Sequence, residues 1–167
     1  ISDFEKLIDL NSIYVDKTDY LFDLISKAPG MFFCSRPRRF GKTLTLYTLE
    51  AIFKGKKNLF KGLKIFEKNY DWKQHPVIHL DFGIINAIDA QLNECVYSIA
   101  NSYGIKIEYS KFCNINLRRL ILGLGKNKDV VILVDEYDKP LTSNIFNPEI
   151  ERIRGVLIGF FEVIKAS

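Results

Sequence analysis

The chain has 167 residues, of which 47% are hydrophobic and 26% are charged, and its formal net charge is +4. This composition is typical of a folded globular protein and excludes an intrinsically disordered one. The mild positive charge by itself predicts no nucleic-acid partner. Three cysteines at wide spacing do not form a zinc motif, which favours a reducing, cytoplasmic setting. No apolar run reaches the roughly 18 residues that a membrane span needs.

Two short helices are predicted near the start of the chain. Residues 1–10 carry apolar side chains at helical spacing, and Ser2 followed by Glu5 predicts a capping box. A second helix is expected over residues 18–27, with Thr18 or Asp19 as its N-cap.

Residues 31–48, MFFCSRPRRFGKTLTLYT, combine an apolar run, a cationic turn and a Gly-Lys-Thr tripeptide. The apolar run 31–34 predicts a strand in which Cys34 is a small core residue. The apolar pattern after the tripeptide predicts a helix. A strand, a turn, Gly-Lys-Thr and a helix together are the context of a phosphate-binding loop.

Each residue of the tripeptide suits this chemistry. Gly41 lets the backbone approach phosphate oxygens, and the amides of a helix N-terminus point at the anion. Lys42 can reach the β- and γ-phosphates, and the Thr43 hydroxyl can bind Mg²⁺. Arg36 stands where the pattern G-x-x-x-x-G-K-[ST] has its first glycine. The alternative is a surface loop that contains Gly-Lys-Thr by chance.

The middle of the chain alternates predicted helices and strands. We expect a short helix and loop over 59–70, a strand over 75–82, a helix over 89–103, a short strand at 105–109, a loop at 110–116 and a helix over 117–124. His75 and His79 lie roughly 13 Å apart on the predicted strand, which disfavours a shared metal. Asp81 ends that strand, where ligand contacts gather in parallel sheets. The alternative for Asp81 is a solvated or helix-capping carboxylate.

Residues 129–140, DVVILVDEYDKP, contain five consecutive apolar residues followed by two acidic ones. Such a run predicts a strand buried on both faces, whose carboxyl end faces the ligand site of a parallel sheet. Asp135 can hold Mg²⁺ there, and Glu136 can orient or deprotonate the attacking water. The alternative is an ordinary solvated loop. A last helix is expected to start at residues 147–149, with Pro148 in its first turn, and to carry a broad apolar stripe that must be buried.

With these motifs the chain resembles the AAA-ATPase-like family of bacterial proteins, which often carry a PD-(D/E)XK nuclease-like domain downstream. The resemblance rests on YVDKT at 14–18, RPRRFGKT at 36–43, LFKGL at 59–63, VIHLDF at 77–82 and VDEYDKPL at 134–141. An arginine-rich loop opening is usual in that family, so Arg36 does not count against ATP binding.

The resemblance implies a P-loop NTPase fold of the AAA/ASCE type, an α/β fold with three α/β/α layers and a mostly parallel sheet. We interpret residues 1–167 as the N-terminal portion of one such domain. The sensor strand, the lid region and any nuclease-like domain are expected outside it, and we expect this portion to bind nucleotide more readily than it hydrolyses it.

The predicted site follows from the same motifs. Lys42 and Glu136 are the predicted catalytic residues, and Thr43 and Asp135 are the predicted Mg²⁺ ligands. By position, Tyr14 and Lys17 are candidates for contacting the base; the alternative is a packed aromatic and a solvated lysine. The predicted nucleotide contacts are Arg38, Arg39, Phe40, Gly41, Lys42, Thr43 and Leu44.

The expected function is binding of Mg²⁺-ATP and its hydrolysis, coupled to a partner or a downstream domain. We also expect two kinds of partner: nucleic acid bound through a downstream domain, and further copies of the chain in a homo-oligomer. An alternative from another class is a non-hydrolysing nucleic-acid-binding module, in which Arg36, Arg38, Arg39 and Lys42 contact a phosphate backbone. A third is a nucleotide-controlled regulatory platform. ATP is favoured over GTP because no Asn-Lys-x-Asp motif is present.

Overall fold

The computed structural model describes residues 3–27, 30–35, 40–85, 88–126 and 128–166. The chain divides into two compact units, Ile1–His75 and Pro76–Ser167. Each unit buries its own hydrophobic side chains. The architecture is mixed α/β with a small parallel sheet, which lies in the second unit. That residues 1–167 form a single domain stays a prediction. In the described ranges, no helix combines the length and the apolar character that a bilayer crossing requires.

The described part of the first unit contains α-helices and short 3-10 helices. They are α1 (Phe4–Asp9), α2 (Thr18–Ile25), α3 (Lys42–Phe53) and the 3-10 helices Lys57–Phe60 and Lys64–Glu67. The core is partly aromatic: Phe4 stacks on Phe60 with ring centroids 4.9 Å apart, and both rings are fully buried. The predicted helix and loop over 59–70 are these two 3-10 helices.

The cap of α1 differs from the predicted one. Ser2 lies outside the described residues, and the side chain of Asp3 accepts hydrogen bonds from the N–H groups of Glu5 at 3.0 Å and Lys6 at 3.3 Å. Aspartate caps a helix as well as serine does, because its oxygen satisfies first-turn amides that have no partner inside the helix.

The predicted strand at residues 31–34 is wrong. Residues 30–35 have no regular secondary structure, and Phe33 is 70% exposed. Cys34, expected in the core, is exposed too. An apolar run becomes a buried strand only when a neighbouring strand pairs with it and other layers cover it. The described sheet consists of two other strands, β-strands 77–81 and 131–135, and residues 30–35 are not part of it.

The second unit contains the sheet and the longer helices. Its elements are β1 (Val77–Asp81), β2 (Val131–Asp135), α4 (Ile88–Ser102), α5 (Cys113–Leu124), α6 (Lys139–Thr142), α7 (Ile150–Lys165) and the 3-10 helix Phe82–Ile84. The two strands pair in parallel, with Val77 opposite Val131 and Asp81 opposite Asp135. Both predicted strands are confirmed, but β2 is less buried than expected: Leu133 and Asp135 are buried, and its other residues are half-buried.

The core of the second unit joins the strands to α4, α5 and α7. Ile78 and Leu80 of β1 belong to one buried cluster with residues of these three helices. The predicted apolar stripe of the last helix is confirmed, because its inward side chains are buried: Ile153, Leu157 and Phe160.

Two expectations about residues 105–117 are wrong. Residues 105–109 do not form a strand, and α5 begins at Cys113, inside the expected loop. The polar Asn116 obscured this helix in the sequence. Its amide is fully buried, donating to Asn93 Oδ1 at 2.7 Å and to the Ser110 carbonyl at 2.6 Å. A buried amide with satisfied donors can occupy a core position that apolar periodicity would not assign to it. Pro140, expected only to follow the strand, lies inside α6.

Asp16 and Thr18 join the start of α2 to the second 3-10 helix. The carboxylate of Asp16 accepts from the Thr18 N–H at 2.9 Å, the Thr18 hydroxyl at 2.7 Å and the Lys64 N–H at 2.8 Å. The buried Thr18 hydroxyl accepts from the Ile65 N–H at 3.0 Å. Partial burial would raise the pKa of Asp16, but these donors outweigh it and the pKa is lowered. The predicted N-caps Thr18 and Asp19 are wrong, because the N-cap of α2 is Lys17, which makes no side-chain cap; Asp16 accepts from the first N–H of the helix instead.

We expect Asp16→Ala to destabilise the protein by about 1–3 kcal/mol at pH 7, because several donors lose their acceptor. A lowered folded-state pKa means that this stabilisation is full above the unfolded pKa of about 3.9 and is lost as the pH falls through the folded value. Denaturant unfolding from pH 7 to pH 2 should therefore show a shallower acid-side loss for the variant. Asp23→Ala, an exposed position on α2, is the control. Equal effects of the two substitutions would contradict the role of Asp16.

Candidate functional site

The helix of the phosphate-loop motif begins directly after the glycine of Gly-Lys-Thr. α3 starts at Lys42, and its N-cap Gly41 has a left-handed backbone with φ 74° and ψ 27°. Glycine adopts this conformation without the strain that a Cβ would cause. The Gly41 carbonyl accepts from the N–H and the hydroxyl of Thr45, both at 2.9 Å. The Thr45 N–H makes the first backbone hydrogen bond of the helix. The N–H groups before it in the first turn of α3 therefore lie at the positive end of the helix.

The predicted nucleotide contacts are described in part. Lys42, Thr43 and Leu44 are half-buried in the first turn of α3, and Phe40 is exposed. Arg38 and Arg39 lie outside the described residues. The sequence predicted a helix after the Gly-Lys-Thr tripeptide, and the described helix begins inside the tripeptide, at Lys42.

Tyr14 packs inside the first unit. Its ring meets the edge of Phe4 at 5.2 Å, and burial raises its pKa against the opposing effect of a hydrogen bond with Thr48. Thr48 in turn donates to the Leu44 carbonyl at 2.8 Å. This geometry agrees with the alternative of a packed aromatic, while Lys17 is exposed at the start of α2. Their role in contacting a base stays a prediction.

Two carboxylates meet at the carboxyl end of the small sheet. The parallel register places Asp81 of β1 directly opposite Asp135 of β2. Asp81 accepts from the Gly83 N–H at 2.8 Å, so it caps the 3-10 helix that follows, as its alternative interpretation anticipated. Asp135 is only 5% exposed and accepts from the Glu136 N–H at 3.0 Å. A buried aspartate at a strand end is suited to hold a hard cation.

Glu136 has an unusual backbone for its residue type. Its φ is 49°, in the left-handed region, where non-glycine residues are strained by roughly 1–3 kcal/mol. Its carbonyl accepts from the Lys139 N–H at 2.8 Å, which forms the turn into α6. Strain of this kind occurs where a side chain must be directed against local preference, so Glu136 is a candidate functional residue on structural grounds as well.

Gly83 is a residue that the sequence interpretation overlooked. A Cβ built there would lie 2.9 Å from Asp81 Oδ1 and 3.5 Å from Glu136 Cγ. The side chains of Asp81 and Glu136 therefore converge on this glycine, which leaves no room for a side chain. A glycine directly after a strand that ends in aspartate was the available signal.

The donors fit Mg²⁺ better than they fit a zinc-type centre. Among the described residues, no group of three or more His, Cys, Asp or Glu side chains is arranged to hold a metal. Mg²⁺ does not need such a cage, since it keeps several waters and binds one or two protein oxygens together with substrate phosphates. The carboxylate of Asp135 is an oxygen donor of this kind.

The predicted site residues divide between the two units. Lys42 and Thr43 belong to the first unit, and Asp135 and Glu136 belong to the second. The structure brings Asp135, Glu136 and Asp81 together at one end of the sheet. That this group and the α3 N-terminus face a single cavity stays a prediction.

A glycine-initiated helix that opens with Lys-Thr, and a buried aspartate followed by glutamate at the end of a parallel strand, define the class of a predicted nucleotide-binding α/β protein. The model of the AAA-ATPase-like family, described as predicted AAA-ATPase, matches residues 1–167. The chain belongs to this family, and the resemblance seen in its motifs is confirmed.

A curated relative comes from Azotobacter chroococcum mcd 1 and is described as an uncharacterized protein in the vnfD 5′ region. It is 39% identical over 163 residues, which cover 92% of this chain and 31% of that protein. The chain therefore spans less than a third of the length of this relative. No solved structure matches the chain.

We expect Gly83→Ala to destabilise the second unit by about 1 kcal/mol, because the new Cβ displaces the Asp81 carboxylate and breaks its cap. Gly155→Ala is a matched control, since a Cβ at this site in α7 meets nothing within 4 Å. The control should be neutral or stabilising by up to about 1 kcal/mol through helix propensity. Denaturant unfolding measures both, and equal effects would show that Gly83 is not the crowded position described above.

Proposed function

We propose that this chain binds Mg²⁺-ATP and hydrolyses it, as part of an AAA-type ATPase with the three-layer P-loop fold. The observation that carries the proposal is the left-handed Gly41 that opens α3 directly before Lys42 and Thr43. Membership of the AAA-ATPase-like family supports nucleotide use in general.

In this proposal the N-terminus of α3 binds the phosphates. The first-turn amides and the positive end of the helix favour an anion. Lys42 adds a full charge for the β- and γ-phosphates, and Thr43 supplies a hydroxyl ligand to Mg²⁺. Arg38 and Arg39, next to this turn in sequence, are proposed as further phosphate or inter-subunit contacts. Phe40 and Leu44 are proposed to line the nucleotide.

The carboxylates of the second unit supply the remaining chemistry. We assign Asp135 to Mg²⁺, which neutralises the charge that develops on the phosphoryl oxygens. Glu136 would orient the attacking water and accept its proton. Asp81 is a positioning residue in this scheme, because its cap on Gly83 shapes the surface beside the Glu136 side chain.

Coupling of the nucleotide state to other parts of the assembly is also proposed. We propose that a partner or a downstream domain responds to the nucleotide state, and that nucleic acid bound through such a domain is one partner. A homo-oligomer is another. We expect the protein to act in the cytoplasm.

We expect Lys42→Ala to abolish stabilisation by Mg²⁺-ATP. A ligand present at 100 times its Kd stabilises a protein by about 2.7 kcal/mol, which a thermal shift detects. Lys61→Ala, at an exposed lysine of the same unit, should retain the whole shift. If Lys42→Ala bound ATP as tightly as the parent, the site assignment would be wrong. Salt-dependent nucleic-acid binding without any ATP effect would instead favour the non-hydrolysing alternative.

We expect Glu136→Gln to retain Mg²⁺-ATP binding and to lose hydrolysis, by about 10²–10⁴-fold if the carboxylate acts as the general base. Single-turnover phosphate release measures the chemical step, and the thermal shift measures binding. Asp138→Asn is the matched control, since this exposed carboxylate lies two residues further on and makes no side-chain cap. Unchanged hydrolysis in Glu136→Gln would remove Glu136 from the mechanism.

A further inference from the structure

The connection between α4 and α5 contains a segment with the side-chain pattern of a β-strand. We call residues 105–109, Ile-Lys-Ile-Glu-Tyr, the pairing segment. Ile105 and Ile107 are half-buried against the core of the second unit, whereas Lys106 and Glu108 are exposed. This alternation is what a strand with one covered face shows. The sequence predicted a strand here, yet none forms, because a strand needs a partner.

Most backbone groups of the pairing segment make no hydrogen bond among the described residues. The Glu108 carbonyl accepts from Arg119 at 2.7 Å, and the Ile105 N–H donates to Ala100 at 2.8 Å. Within the part of the chain that the structure describes, the other backbone groups of the segment make no hydrogen bond, and four of them belong to alternate residues: the Ile107 N–H and C=O, the Tyr109 N–H and the Ile105 C=O. Because alternate residues of an extended chain direct their backbone groups to the same edge, these four groups share one edge. Such an edge is a template for another strand.

The sequence of the segment identifies the occupant of this edge. We propose that a second copy of this chain pairs with the segment, antiparallel and centred on Ile107. In that register Ile107 faces its counterpart, and Lys106 of one copy faces Glu108 of the other, twice by symmetry. Ile105 likewise faces Tyr109. The four available groups then form four hydrogen bonds: two between the Ile107 residues, and one from each Tyr109 N–H to the opposite Ile105 carbonyl.

Charge decides between this arrangement and a parallel one. Directly opposite side chains on neighbouring strands interact, and like charges there are destabilising. Parallel pairing of two copies in the same register would place lysine beside lysine and glutamate beside glutamate. The antiparallel register turns both contacts into opposite-charge pairs, and it adds aromatic–aliphatic pairs on the other face. An isologous two-fold contact of this kind closes at the dimer.

The test is the oligomeric state of the chain, by sedimentation velocity over about 10–500 µM, since a short strand pair gives a weak dimer. Lys106→Glu and Glu108→Lys each replace attraction with repulsion at two symmetric contacts, so each should weaken the dimer about tenfold or more. The double variant Lys106→Glu/Glu108→Lys should restore the parental affinity, because the charges are exchanged and not removed. Lys128→Glu, the same charge change at an exposed position outside the segment, should leave it unchanged.

Thermal unfolding of each variant separates loss of pairing from loss of folding, since Glu108 also forms an ion pair with Arg119. Ile107→Pro gives an independent measure, because it removes the central N–H donor and blocks pairing without changing charge. A parental chain that stays monomeric throughout the concentration range overturns the proposal. A dimer that is equally strong in Lys106→Glu, in Ile107→Pro or in a folded Glu108→Lys also overturns it, because the contact would then lie on another surface.

Discussion

The in-register parallel pairing of β1 and β2 is the constraint on which the second unit depends. Paired backbone groups allow two apolar strands to be buried without unsatisfied hydrogen bonds. The same register brings Asp81 and Asp135 to the same level at the carboxyl end. Three other features lie at this end: the cap on Gly83, the buried carboxylate of Asp135 and the strained turn at Glu136. A shift of one residue would turn one of the two carboxylates to the other face of the sheet.

Buried polar side chains fix the connections in both units by the same physical means. Thr18 and Asn116 are fully buried. Thr18 accepts from the Ile65 N–H of the second 3-10 helix, and Asn116 accepts from the Ser110 N–H and donates to the Ser110 carbonyl. A buried polar group without partners costs more than a satisfied one contributes, so such networks select one loop conformation. The motif at residues 14–18 gains a structural explanation from this, because Asp16 and Thr18 hold the second 3-10 helix.

Residues 105–109 are the most unusual segment of the second unit, because their backbone is not paired with a strand among the described residues. β1 and β2 satisfy each other, whereas residues 105–109 have the side-chain alternation of a strand and an edge with no partner among the described residues. The proposed ATP site and the proposed pairing segment rest on different observations and are separable by experiment. The first depends on a helix N-terminus and strand-end carboxylates, the second on self-complementary charges around Ile107.

Local patterns in the sequence determined the helices and strands whose formation depends on residues close together in the chain. The apolar run before Asp135, the glycine before Lys42 and the stripe of the last helix each predict an element because period, capping and chain stiffness act over a few residues. The sequence also determined membership of the family through its motifs. Tertiary structure alone decided that residues 31–34 are not a strand and that residues 105–109 pair with no strand among the described residues, since strand formation needs a neighbour distant in the chain. It alone revealed the burial of Asn116 and the crowding at Gly83, because both depend on side chains brought together by folding.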